Sequence, residues 1–126
     1  MQWVWVALLV VVVGFVVLRM RPAKGVMTVS PEDMKKLMND KRQTSAMQFL
    51  DVREPSEFKN GHVKGFRNVP LGQLKGHLGE LDRSQPVVVM CHSGARSMQA
   101  ARLLAKQGFA DIRNVRGGMM AWGSRR

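Results

Sequence analysis

The sequence predicts an α/β fold in which a parallel sheet is flanked by helices and preceded by one transmembrane helix. Short apolar segments alternate with segments of helical periodicity over residues 26–122, as in parallel sheets with helical crossovers. Residues 86–90 are apolar on both faces and too few for a helix, which indicates a central parallel strand. Residues 3–18 contain no polar side chain, which indicates the transmembrane segment.

We expect residues 1–20 to form an uncleaved membrane anchor. As a helix, the apolar run 3–18 extends roughly 24 Å against a hydrocarbon core of about 30 Å, so flanking residues or a thinner bilayer must make up the difference. A cleaved signal peptide needs a basic residue before the run and a small-x-small cleavage site, and the sequence has neither. A buried core helix is disfavoured because the run has no amphipathic face. Residues 21–26 are the predicted linker, and residues 27–126 the predicted globular domain.

The charges beside the run predict its orientation. Arg19, Arg21 and Lys24 follow it, and only the N-terminal amine precedes it. The positive-inside rule then predicts a single-pass protein of the inner (cytoplasmic) membrane, with the N-terminus outside and the domain in the cytoplasm. A lone cysteine also fits a reducing compartment.

The chain is strongly basic, with a net charge of +11, of which +8 falls on residues 26–126. Such a domain is expected to lie against anionic lipid headgroups and to attract small anionic substrates. Nucleic acid is the other usual partner of a basic chain. The Lys and Arg residues are scattered singly, however, without an Arg-rich run or a recognisable motif, so we predict no nucleic-acid partner.

The first part of the domain predicts two strands separated by a capped helix. Residues 26–29 fit a short edge strand, and residues 46–52 fit a buried strand that ends in a loop. Between them, Ser30 as the cap, Pro31 at the first helical position and an acid three residues after the cap mark a helix start. That helix is expected to end near Asn39.

The second part continues the alternation of helices and strands. Residues 71–81 have apolar side chains at helical spacing, although three glycines weaken the pattern. The other predicted elements are a helical turn at 55–59, an extended segment at 63–69, a helix at 95–107, a strand at 110–115 and a final turn or short helix at 117–122.

Cys91 is the only cysteine of the chain and directly follows the predicted central strand. Because the next helix begins at Ala95, a strand, a tight turn and a helix N-terminus meet at one thiol. Backbone N–H groups and the helix dipole favour the thiolate there. A single cysteine excludes an internal disulfide and a Cys-x-x-Cys pair. Any sulfur chemistry therefore belongs to this one atom, at the sheet edge where ligands of parallel sheets bind.

Four segments, taken together and in order, resemble single-domain rhodaneses, a family of sulfurtransferases. They are residues 50–57 (LDVREPSE), 61–70 (GHVKGFRNVP), 89–97 (VMCHSGARS) and 117–122 (GGMMAW). The resemblance covers about residues 27–122 and implies the rhodanese fold. Phe66 stands where the family usually has a small residue, and we expect it to alter packing near the mouth of the site and to affect the choice of acceptor.

The resemblance implies that Cys91 is catalytic. It would take a sulfane sulfur from a donor such as thiosulfate, release sulfite and hold the sulfur as a persulfide until a nucleophile removes it. The implied partners are a small anionic sulfur donor and a thiol, cyanide or protein acceptor, and no cofactor is implied. The residues expected to bind substrate are His92, Ser93, Gly94, Ala95, Arg96 and Ser97, whose N–H groups can form a cradle. Arg96 is expected to position the donor.

Loop length bears on two alternative activities. Phosphatases that resemble this fold use Cys-x₅-Arg, whereas Cys91 and Arg96 are separated by four residues. The shorter loop favours sulfur transfer over phosphate or arsenate chemistry. A non-catalytic docking module at the membrane is the remaining alternative, but such a module has no need of the thiol.

Several other polar residues are predicted to be structural. Asp51 and Arg53 are expected to form an ion pair that braces the active loop. We expect His62 to make a structural hydrogen bond and His92 to be exposed at the rim of the pocket. The three histidines lack metal-ligand spacing, so we predict no metal.

Overall fold

The computed structural model describes residues 1–20 and 25–123. Within them, five parallel strands form one sheet of order β1-β5-β4-β2-β3. The strands are β1 (Val26–Val29), β2 (Gln48–Asp51), β3 (Arg67–Asn68), β4 (Val87–Met90) and β5 (Ile112–Val115). The predicted parallel sheet, its edge strand β1 and its central strand β4 are therefore confirmed.

The helices are α1 (Gln2–Met20), α2 (Pro31–Met38), α3 (Lys41–Thr44), α4 (Pro55–Lys59), α5 (Leu71–Leu74), α6 (Ala95–Lys106) and α7 (Gly118–Gly123), and a 3₁₀ helix (Lys75–Glu80) follows α5. Of these, α6 packs on one face of the sheet and α2 and α7 pack on the other, whereas the side chains of residues 2–16 in α1 are exposed. The predicted start of α2 is present, because the Ser30 hydroxyl accepts a hydrogen bond from the Asp33 N–H at 3.1 Å. The short helix α3 was not predicted.

The predicted membrane anchor is wrong. Among the residues that the structure describes, no helix has both the length and the apolar character needed to cross a bilayer. The apolar run 3–18 is followed directly by Arg19. As a helix the run is roughly 24 Å long, which is shorter than a hydrocarbon core of about 30 Å. The predicted single-pass topology, with the N-terminus outside the inner membrane and the domain in the cytoplasm, is wrong with it.

Two further expectations about the chain differ from the structure. Residues 71–81 do not form one α-helix, because α5 ends at Leu74 and continues as the 3₁₀ helix. The glycines at 72, 76 and 79 account for this, since glycine costs up to about 1 kcal/mol in a helix interior. Of the predicted linker 21–26, residues 21–24 lie outside the described residues, and Val26 already belongs to β1.

The core explains where the thiol lies. Val87 and Val89 of β4 belong to the cluster that includes α6, whereas Val88 and Met90 belong to the cluster that includes α2 and α7. Side chains alternate between the faces of a strand. Cys91, the next residue, therefore lies on the α6 face, at the carboxyl end of the central strand.

Candidate active site

The Cys91 loop, residues 91–97, connects β4 to the first turn of α6. Gly94 has a φ of +102°, which favours glycine, and a Cβ there would approach the Gly117 nitrogen to 3.4 Å. This backbone conformation lets the Gly94 N–H donate to the Cys91 sulfur at 3.0 Å. The turn therefore brings a hydrogen-bond donor to the thiol, as the sequence predicted for a strand, turn and helix N-terminus that meet at Cys91.

The sulfur of Cys91 lies in a buried polar environment. Cys91 and Ser97 are both fully buried, and the Sγ and Oγ atoms are 3.3 Å apart. Burial raises the pKa of the Cys91 thiol, but its hydrogen bond with the Ser97 side chain and those from the N–H groups of Ser97, Gly94 and Ser93 outweigh that effect. The pKa of Cys91 is consequently lowered from its ordinary value. The loop thus favours the nucleophilic form of the thiol.

The start of α7 holds the backbone of the Cys91 loop at Cys91 and His92. The Met119 N–H donates to the Cys91 carbonyl at 2.8 Å, and the Met120 N–H donates to the His92 carbonyl at 3.0 Å. A Cβ on Gly118 would lie only 2.3 Å from the Cys91 carbonyl oxygen. The sequence predicts a final turn or short helix at 117–122, and nothing in it indicated this direct contact with the loop.

Arg96 does not stand free at the loop. Its Nη1 and Nη2 atoms donate to the two carboxylate oxygens of Glu57 on α4, at 2.7 and 2.9 Å. Hydrogen bonding to Arg96 holds the pKa of Glu57 down at about 2. The sequence showed Glu57 only as part of the segment 50–57, and its contact with Arg96 was not predicted.

The Asp51–Arg53 ion pair forms at the end of β2, with Nη2 and Oδ2 2.8 Å apart, and both side chains are buried. Arg53 also donates to the Gly61 carbonyl at 2.8 Å and to the Glu57 carbonyl at 3.3 Å. The pair therefore holds the segment that carries Glu57. It reaches the Cys91 loop through Glu57 and Arg96, and not by direct contact.

Asn114 on β5 contacts the Ser97 hydroxyl that lies beside the sulfur. It is 3% exposed, and the Ser97 hydroxyl donates to its Oδ1 atom at 2.5 Å. No motif in the sequence marked Asn114, because its contact with the loop depends on the pairing of β4 with β5.

The histidines and Phe66 lie away from the sulfur's hydrogen bonds. His92 is exposed, and His62 stacks on Phe58 and donates from Nδ1 to the Phe58 carbonyl at 2.9 Å. Phe66 is buried against Phe49, in the cluster on the α2 face of the sheet, whereas Cys91 belongs to the cluster on the α6 face. Across residues 1–20 and 25–123, no group of three or more His, Cys, Asp or Glu side chains could hold a metal ion.

Residues 30–125 match the family model of the rhodanese-like domain. The chain belongs to the rhodanese-like domain family. It is 45% identical over 78 residues to the uncharacterized protein YqhL of Bacillus subtilis, a match covering 62% of each chain. It is also 36% identical over 80 residues to the thiosulfate sulfurtransferase GlpE of Shewanella oneidensis, covering 64% of this chain and 79% of GlpE.

Solved structures show the same fold. A rhodanese-like domain protein from Staphylococcus aureus superimposes with a TM-score of 0.70 and 25% identity, over 76% of this chain and 90% of that one. The predicted family and its parallel-sheet fold are therefore confirmed. The relatives that are named for an activity, GlpE among them, are sulfurtransferases. The match spans less than two thirds of the length of YqhL.

Proposed function

We propose that this rhodanese-like domain is a sulfurtransferase that moves a sulfane sulfur from an anionic donor such as thiosulfate to a nucleophilic acceptor through a persulfide on Cys91. The observation that carries the proposal is the surroundings of the buried Cys91 sulfur, to which Gly94 donates from its backbone and beside which the Ser97 hydroxyl lies. The names of the relatives support the donor class.

The first half-reaction requires a thiolate. The Cys91 sulfur attacks the outer sulfur of thiosulfate, a new S–S bond forms, and the S–S bond of the donor breaks so that sulfite leaves with the electron pair. A lowered pKa of Cys91 supplies the thiolate for this step.

The second half-reaction regenerates the thiol. A nucleophilic acceptor, such as a thiolate or cyanide, attacks the terminal sulfur of the persulfide, and the Cys91 thiolate leaves. Because Cys91 is then the leaving group, the same donors that stabilise the thiolate favour both half-reactions.

Arg96 is the proposed donor-positioning residue. Glu57 occupies two of the five N–H donors of its guanidinium, and the Arg96 side chain remains 34% exposed. Donors are therefore left for an oxyanion, and the ion pair fixes the direction in which they point. The charge of +8 on residues 26–126 further favours the approach of an anionic donor.

The proposed roles of the remaining loop residues follow from the backbone. His92, Ser93, Gly94, Ala95 and Ser97 are the proposed substrate-binding residues of the loop, and Asp51 with Arg53 is proposed to support the loop through Glu57. We take the domain to be residues 27–126, preceded by the linker 21–26, apart from Val26 in β1.

Intact-mass spectrometry tests the proposed function. The full chain is incubated with thiosulfate, the excess is removed, and the mass is compared with that of Cys91→Ser treated identically. We expect the parent chain to gain one sulfur atom and to lose it on addition of cyanide, with Cys91→Ser unchanged. No gain in a chain whose thiol reacts with an alkylating reagent would overturn the proposal and favour a docking module.

A further inference from the structure

The Ser97 hydroxyl lies among three acceptors and has one proton to donate. Its Oγ atom is 2.5 Å from the Asn114 Oδ1, 3.1 Å from the Gly94 carbonyl oxygen and 3.3 Å from the Cys91 sulfur. The shortest of these contacts is with Asn114. The proton therefore points to Asn114, and Ser97 accepts the S–H hydrogen of Cys91.

This direction of the Ser97 proton suits the thiol form of Cys91 and not its thiolate form. Once the Cys91 sulfur is negative, it needs the Ser97 hydroxyl as a donor. If the Ser97 proton turns to the sulfur while Asn114 stays in place, two oxygen acceptors face each other at 2.5 Å without a proton between them. In a buried site such a contact is costly.

Rotation of the Asn114 amide removes the conflict. A half-turn exchanges Oδ1 and Nδ2, and Nδ2 can then donate to the Ser97 oxygen. The rotation gives up the contact of Nδ2 with the Gly94 carbonyl, which at 3.5 Å is a weak hydrogen bond, and turns Oδ1 toward that carbonyl. An oxygen–oxygen contact at this distance costs less than one at 2.5 Å.

We propose that Asn114 is a positioning residue whose amide turns with the charge of the Cys91 sulfur. Its oxygen holds the Ser97 proton while Cys91 is a thiol, and its NH₂ group faces Ser97 when the Cys91 sulfur is a thiolate. Ser97 thereby changes from an acceptor to a donor without moving. The inference rests on the proposed function, because only a sulfur that alternates between these states needs such a partner.

Other charged groups lie on the elements packed against the loop. They are Arg96 on α6, Glu57 on α4, Asp51 and Arg53 at the end of β2, His92 in the loop, and Asp111, Arg113 and Arg116 on and beside β5. All but His92 and Arg116 are held in ion pairs. His92 is an exposed side chain of the same loop, so a His92→Gln variant separates its contribution from that of Cys91.

NMR of the full chain tests the rotation directly. The Asn114 side-chain amide is followed while pH is raised through the ionisation of Cys91, which is monitored by the Cys91 Cβ chemical shift. We expect the resonances of the Asn114 amide to shift with the same midpoint as the ionisation of Cys91. The contact between the amide protons and the Ser97 β-protons should strengthen in the thiolate form. His92→Gln should keep this behaviour, and Cys91→Ser should lose it. An amide that keeps its contact with Gly94 throughout overturns the inference.

Two variants give a second readout, the pKa of the Cys91 thiol. Ser97→Ala should raise this pKa by about one to two units, because the thiolate loses a charge-assisted donor. Asn114→Leu should leave the pKa unchanged or raise it, since a rotating amide supports both forms of the sulfur. A pKa lowered by Asn114→Leu would mean that Asn114 only competes for the Ser97 proton, and would overturn the proposal.

Neither readout requires sulfur transfer, so the two proposals fail separately. A chain that gains a sulfur atom but whose amide does not turn contradicts only the role of Asn114. A chain whose amide turns but which gains no sulfur contradicts only the proposed function.

Discussion

The guanidinium of Arg96 and the carboxylate of Glu57 form a two-point ion pair across 39 residues of sequence, with N–O distances of 2.7 and 2.9 Å. The pair joins the Cys91 loop to α4, and Arg53 holds α4 in turn through the Glu57 carbonyl. Glu57 therefore has two opposite effects on an anionic donor. It fixes Arg96 in place, and it competes with the donor for the positive charge of Arg96.

Replacing Glu57 by Gln should lower the KM for thiosulfate by about threefold. The amide keeps a hydrogen-bond partner for Arg96 but removes the competing charge, and partly exposed ion pairs are worth up to about 1 kcal/mol. Steady-state kinetics with thiosulfate and cyanide provide the measurement. Glu80→Gln is the matched control, because it removes the same charge from a carboxylate of the 3₁₀ helix that is bound to Arg67 of β3, and the KM of this variant should not change. A raised KM in Glu57→Gln would show that fixing Arg96 outweighs competition.

Replacing Arg96 by Lys should lower kcat/KM for thiosulfate by about tenfold. Lysine keeps the positive charge but cannot bind Glu57 at two points, so both the orientation of the loop and the planar group that meets the oxyanion are lost. Arg102→Lys makes the same substitution at an exposed position of α6 and should leave kcat/KM unchanged. Equal activity of Arg96→Lys and the parent chain would remove Arg96 from the proposed site.

The parts of the site that the sequence predicts are local. Cys91 at the end of β4, the turn at Gly94 and the start of α6 at Ala95 follow from neighbouring residues, because turn chemistry and helix initiation depend on short spacings. The pairing of Arg96 with Glu57 and the contact of Ser97 with Asn114 depend instead on how strands and helices pack. Spacing along the chain does not determine these contacts.

The apolar run 3–18 shows a different limit of prediction from sequence, which concerns hydrophobic pattern. Its lack of polar side chains gave a strong prediction of a membrane anchor, although its length as a helix was short for that purpose. In the same way, the spacing over residues 71–81 suggested one helix, and the low helix propensity of its glycines produced a 3₁₀ segment instead. In both cases the hydrophobic pattern satisfies one physical requirement of the predicted element, whereas a second one is not met: length in the first case and backbone propensity in the second.

Replacing Gly118 by Ala should lower the free energy of unfolding by about 1–3 kcal/mol and slow sulfur loading of Cys91. Gly118 has a φ of +55°, and a Cβ there would lie 2.3 Å from the Cys91 carbonyl oxygen, so the loop or α7 must move. Gly79→Ala is the control, because nothing lies within 4 Å of a Cβ at that position. The measurements are denaturant unfolding and the rate of mass gain with thiosulfate. Unchanged loading in a destabilised Gly118→Ala chain would show that the contact is structural only.

The Arg96–Glu57 pair should make the stability of the fold depend on pH below about 5. The pKa of Glu57 is lowered from 4.5 to about 2 in the folded chain, first by its hydrogen bond with Arg96. A lowered folded-state pKa stabilises the fold above the unfolded-state value, and that contribution is lost as pH falls through about 4.5 toward about 2. The Tm of the parent chain should therefore exceed that of Glu57→Gln at pH 7, and the difference should shrink over this acid range.

Comparing the parent chain with Glu57→Gln also removes the effect of other acids. The pKa values of Glu80 and Asp82 are lowered as well, first by hydrogen bonds with Arg67 and Ser84 respectively, but both groups titrate in the two proteins and cancel in the difference. Thermal unfolding followed by circular dichroism at pH 7, 5, 4 and 3 gives the four differences needed. A Tm difference between the two proteins that stays constant down to pH 3 would mean that the charge of Glu57 contributes nothing to stability. The ion pair would then act only in directing Arg96.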